Sequence, residues 1–151
     1  MMNSVMKIYL DNCSLQRPLD SRTSTRIALE AEAVLGVLAL LESGKIQLIS
    51  SEVLLFEIER DPDNMRQEYA LEVLSKAQTF IRVTERVEKR AARYVRLGIK
   101  PLDALHVASA EEAKASYFCT CDDRLLRKVK GMASLKVRVI SLIELIQELE
   151  S

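Results

Sequence analysis

Short apolar segments alternate with longer stretches of helical periodicity along this chain, and no other feature restricts its fold so strongly. The apolar segments fall at residues 7–10, 45–50, 80–83, 117–121 and 137–140, and each reads as a strand, with 80–83 at an edge. Between them, helices are expected over 25–42, 52–60, from Pro62 to about 78, from Thr84 to Gly98, 101–114, through 129, and from 141 or 142 to 149. Gly44 suits a helix C-cap, Ser51, Thr84 and Asp122 suit N-caps, and Asp61 before Pro62 suits another. The polar stretch 13–24, which contains Pro18, reads as a loop. Strands that alternate with helices of this length imply an α/β fold with a parallel sheet covered on both faces, joined by right-handed crossovers. Ligands of such sheets bind beyond the carboxyl ends of the strands, where the strand order reverses.

A chain of 151 residues suits one domain, 1–151, with a proper core. No apolar run is long enough to span a bilayer, so no membrane contact is expected. Residues 1–6 lead straight into the first strand without the basic region and cleavage site of a signal peptide, which makes a cytoplasmic location the expectation. The 22 basic residues balance 22 acidic ones, so bulk charge does not draw the chain to nucleic acid. Arginine-bearing segments at 17–26 and 124–130 nonetheless supply local positive charge. Cys13, Cys119 and Cys121 read as free, mostly buried thiols, the last two sharing one face of a strand. With His106 as the sole histidine, a structural zinc site lacks ligands.

Four acids stand out. Asp11 and Asp122 follow apolar strands, Asp103 lies in the first turn of the helix opened by Pro101, and Glu57 lies in the helix after the second strand. At 100° per residue Glu57 falls inside the arc of Val53, Leu54, Leu55 and Ile58, whereas Glu52 and Glu59 face away. A carboxylate there needs a cation, either a basic side chain or a metal. Asp103 sits among Leu102, Val107, Ala110 and Ala113; the helix dipole alone could hold it there, and His106 one turn on could bond it or serve as a satisfied structural histidine. Asp11 taken singly could be a turn residue and Asp122 a helix cap. Together on one sheet edge, four acids would repel one another without a divalent cation. That arrangement suits Mg²⁺ or Mn²⁺ and hydrolysis of a phosphodiester. No phosphate-binding glycine loop and no nucleophile elbow is present, and Asp11-Asn12-Cys13 lacks the second aspartate of an aspartyl phosphatase.

Four blocks in this order resemble the PIN domains: Ile8-Tyr9-Leu10-Asp11, Ser50 through Ile58 with Glu57, Pro101 through Ala108 with Asp103, and Phe118 through Leu126 with Asp122. The resemblance runs over nearly the whole chain. It implies a three-layer α/β/α sandwich and a Mg²⁺- or Mn²⁺-dependent endoribonuclease. Asp11, Glu57, Asp103 and Asp122 would then be the metal-site acids, with Thr120, Asn12 and Asp123 supporting them. Many small members resemble VapC-type toxins, which pair with an antitoxin and often dimerise. Many members carry a small hydroxyl residue after the first acid, where this chain has Asn12-Cys13. Arg17, Arg22, Arg26 and Arg124 are the expected phosphate contacts. The alternative is a non-catalytic scaffold that binds RNA or protein.

Overall fold

The computed structural model describes residues 5–150. Five strands form one parallel sheet in the order β3-β2-β1-β4-β5. They are β1 (Met6–Leu10), β2 (Ile46–Ser51), β3 (Thr79–Ile81), β4 (Tyr117–Cys119) and β5 (Arg138–Ile140). Eight helices flank the sheet: α1 (Asn12–Gln16), α2 (Thr25–Glu42), α3 (Glu52–Glu59), α4 (Asn64–Leu74), α5 (Glu85–Arg96), α6 (Pro101–Glu112), α7 (Asp123–Val129) and α8 (Leu142–Glu150). The expected α/β architecture is therefore present, with β3 at an edge. Ile8, Tyr9 and Leu10 of the central strand are fully buried, as both-face coverage of a parallel sheet requires. The chain walks from β1 outward to β3, then returns to β4 and β5, so the order reverses between β1 and β4. The part of the amino-terminal expectation that concerns residues 1–4 lies outside the described residues. No helix among the described residues is long and apolar enough to cross a membrane.

Most boundaries follow the local signals. Ser24, Ser51, Thr84 and Asp122 each accept a backbone N–H from the first turn of their helices. Gly44 takes φ +76° just past α2, a conformation few side chains tolerate. Three expectations are corrected. The stretch 13–24 is a loop only over residues 20–24: Asp11 caps α1 by accepting from Ser14 N, and a single turn of 3-10 helix at Arg17–Leu19 follows. Leu15 anchors that segment at 1% exposure, an apolar contact that its polar neighbours conceal. The cap of α4 is Asp63, which accepts from Met65 N and Arg66 N, while Asp61 takes the Asp63 N–H and leaves Pro62 outside the helix. That helix stops at Leu74, and Gln78 instead bonds both backbone groups of Leu48. Finally, β4 ends at Cys119, so Cys119 and Cys121 do not share a strand face; Thr120 Oγ1 accepts from Asp122 N and turns the chain into α7. All three cysteines are free, Cys119 and Cys121 buried and Cys13 exposed.

Candidate functional site

The carboxyl ends of β1 and β4 meet where the strand order reverses. Asp11 leaves β1 there, and its N–H donates to the Cys119 carbonyl of β4 at 3.1 Å. Its Oδ1 accepts from Ser14 N at 3.1 Å and from the Cys13 thiol at 3.1 Å. Only 8% of Asp11 is exposed. Burial raises its carboxyl above the ordinary range, and the hydroxyl of Thr120, the Cys13 thiol and Ser14 oppose that rise without cancelling it. Thr120 thus stands beside Asp11 while also bracing Asp122 through its backbone N–H at 3.0 Å.

Glu57 projects from α3 and is less buried than its place in the apolar arc suggests, with 33% of its side chain exposed. Its partner is His106, whose Nε2 lies 2.8 Å from Glu57 Oε1. The expected contact between His106 and Asp103 is not made. Instead His106 Nδ1 lies 2.6 Å from the Tyr9 hydroxyl, which lies 2.7 Å from Ser51 Oγ. Ser51 Oγ already accepts from Leu54 N, so its proton is free for Tyr9. Burial keeps Tyr9 a neutral phenol, which donates to Nδ1 and leaves Nε2 as the donor to Glu57 Oε1. One buried circuit therefore links β1, which carries Asp11, α3, which carries Glu57, and α6, which carries Asp103. His106 is the satisfied histidine that the sequence allowed, but its partners come from two other elements.

Asp103 has neither a hydrogen-bond nor an ion-pair partner among the described residues. Desolvation raises its carboxyl first, and the charge of Asp122 adds to the rise; His106 opposes it, and Asp11 and Glu57 raise it further. The four acids singled out in the sequence thus sense one another at one edge of the sheet. Asp122 caps α7 through Arg124 N at 2.9 Å and Leu125 N at 3.3 Å, with its other oxygen unbonded.

The flanking residues divide. Asn12 accepts from Gln16 Nε2 one turn along α1 at 3.0 Å. Asp123 takes both ends of the Arg26 guanidinium, at 2.7 and 2.9 Å. Arg17 is tied to Asp20 and Glu30, and Arg26 also reaches Glu30. Both arginines thus already have carboxylate partners. Arg22 and Arg124 are exposed and form no ion pair among the described residues. Lys100, which local sequence did not mark, and Lys128, from the basic segment 124–130, line a pocket of about 250 Å³ together with Asp103, Asp122 and Arg124. A larger cleft of about 590 Å³ lies between α5, α6 and the approach to β5, but Arg86 and Arg90 already neutralise its acids Glu111 and Glu112.

Four carboxylates of hard oxygen, none paired to lysine or arginine among the described residues, form a donor set suited to Mg²⁺ or Mn²⁺. No three described His, Cys, Asp or Glu side chains stand close enough to surround one ion. Mg²⁺ commonly takes one or two carboxylates and keeps several waters, so this spacing is compatible with it.

The model of the PIN domain matches residues 16–131, and the chain belongs to the PIN domain family. A search of curated protein sequences finds no match. Among solved structures, the chain is similar to FitAcB from Neisseria gonorrhoeae, with 17% identity, a TM-score of 0.57, and coverage of 90% of this chain and 98% of that one. It is likewise similar to VapBC2 from Rickettsia felis bound to a DNA fragment from their promoter, with 12% identity, a TM-score of 0.57 and the same coverage of 90% and 98%. At these identities the likeness is one of fold.

Proposed function

We propose that the chain acts as one PIN domain and is a Mg²⁺- or Mn²⁺-dependent endoribonuclease. The observation that carries this reading is Asp103, a desolvated carboxylate without a donor or cation, raised by three further acids at the same sheet edge. A fold does not retain such repulsion for stability. Asp11, Asp103 and Asp122 would hold the ion, one or two of them directly and the others through its waters, with Glu57 as a further ligand or as the base for the attacking water. A bound divalent ion supplies a polarised phosphoryl oxygen and a water that deprotonates near neutral pH. His106 fixes the Glu57 carboxyl group through one hydrogen bond to Oε1, which orients it for the role of a base. Thr120 holds Asp11 and Asp122 in register across the β1–β4 junction.

The family membership and the likeness to VapBC2 support a toxin with an antitoxin as protein partner, and a homodimer is part of the same reading. Of the four expected arginines, exposed Arg22 and Arg124 are left for RNA phosphates, because Arg17 and Arg26 are paired with Asp20, Glu30 and Asp123.

The test is cleavage of a mixed structured RNA with Mn²⁺, with EDTA, and with Asp11→Asn in parallel. Cutting should require both the metal and Asp11. An Asp11→Asn variant that cuts as well as the parent defeats the proposal. A parent that neither cuts nor binds Mn²⁺ in calorimetry leaves the non-catalytic scaffold.

A further inference from the structure

We propose that Gly98, Lys100, Arg124 and Lys128 form a seat for one backbone phosphate of the RNA, directly beside Asp103 and Asp122. The identity of the ligand as RNA rests on the nuclease reading; the anion-binding character rests on the pocket itself. Three cations line the pocket with the two acids. None of the three is within ion-pair distance of any described carboxylate. Opposite charges that share a pocket without closing on each other leave room between them. An anion entering that room is drawn to Lys100, Arg124 and Lys128 and repelled by Asp103 and Asp122, unless a divalent ion screens the acids.

The position of Lys128 is set by the backbone. Gly98 has φ +101°, a conformation that side chains rarely adopt. A Cβ there would lie 3.1 Å from Lys128 Nζ and 3.5 Å from its Cε, so the lysine lies along a surface that only glycine leaves open. Lys100 is held at the entry to α6, where Pro101 fixes the first turn and no side chain caps the helix. Arg124 follows from α7, whose start is fixed by the Asp122 cap. Its guanidinium fork matches two phosphate oxygens at once.

Size selects among anions. A volume of about 250 Å³ holds roughly eight waters at about 30 Å³ each. That is below the usual range of small-molecule sites, which begins at about 300 Å³. It suits a phosphate of a polymer that runs across the rim. Lying next to the acids and not on them, the seat would hold a phosphate neighbouring the one that is cut, and so fix the register of the strand.

The experiment is anisotropy of a labelled single-stranded RNA with the intact protein in EDTA, where no cutting occurs, across a salt series. Lys100→Gln, Arg124→Gln and Lys128→Gln are compared with the parent and with Lys45→Gln, an exposed charge control at the opposite end of β2. Each pocket variant should weaken binding roughly fivefold, and the three substitutions combined should lower the salt slope by about 0.7, the value for one phosphate contact on a single strand. Lys45→Gln should leave both unchanged. With Mn²⁺, the pocket variants should raise KM and keep kcat within about twofold, the mark of binding that is uniform along the reaction. Pocket variants that bind like the parent, or a parent that does not bind RNA at low salt, overturn the seat. A parent that binds through these residues but never cuts with Mn²⁺ defeats the nuclease reading and leaves the seat standing.

Discussion

Glu30 and Asp11 are both acids nearly closed off from water, at 1% and 8% exposure, yet they are handled in opposite ways. Glu30 on α2 takes Arg17 at 2.9 Å and Arg26 at 3.3 Å. Glu111 on α6 is treated similarly: it accepts from the Tyr94 hydroxyl, Lys136 N and Val137 N, and Arg90 lies 3.8 Å away. The acids at the β1–β4 junction receive hydroxyls, a thiol and backbone amides, and no lysine or arginine among the described residues. Acids that hold the fold together carry their counter-charge within it. The acids at the β1–β4 junction leave that place open, and the fold tolerates the repulsion.

That contrast can be broken at either end. The largest effect is expected from Glu111→Ala, which orphans a buried phenol, two backbone amides and Arg90; denaturant unfolding should show a loss of about 3–5 kcal/mol. Glu30→Gln should cost about 2 kcal/mol by the same measurement, since Arg17 keeps only 17% of its side chain in water. Ser51→Ala removes the cap of α3 and the partner of Tyr9, and should cost about 1–2 kcal/mol. Asp103→Asn should go the other way, gaining about 0.5 kcal/mol at neutral pH while RNA cutting is lost. The sign follows from the raised carboxyl. The folded chain holds that proton more tightly than the unfolded chain, so its contribution is present below the ordinary value of 3.8 and disappears as pH rises through the higher folded value. The Asn variant should therefore lead the parent only above that window, and Mn²⁺ should raise the parent's Tm more than the variant's. An Asp103→Asn protein less stable than the parent at neutral pH would show that the acid is structural after all.

The strands, their parallel pairing and most helix caps were legible because each depends on neighbours a few residues away. The four acids were legible as well, since strand ends and apolar arcs can be read locally. The partners were not. His106 looks toward Asp103 one turn back, but its bonds go to Glu57 and Tyr9, 49 and 97 positions distant in the chain. Glu30 drew no notice because Arg17 is brought to it by a helical segment that reads as a polar loop. The same segment hid that Arg17 is a counter-ion of Glu30, a role it shares with Arg26 of α2. Lys128 meets Gly98 only after α7 packs beside α6, so no spacing in the chain announces the pocket.

The pairing of β1 with β4 has a consequence for the chain during its synthesis. Asp11 emerges early but depends on the Cys119 carbonyl, and the Ser14 hydroxyl that steadies its turn donates to that same carbonyl. Tyr9 waits likewise for His106. A nascent chain that lacks β4 holds Asp11 and Glu57 without Asp122 and without the strand that aligns them, so translation must be nearly through the sheet before the acids can be brought together. Contacts of such sequence separation are slow to form, and the edge at which the four acids gather stays unbuilt until β4 has left the ribosome and paired with β1.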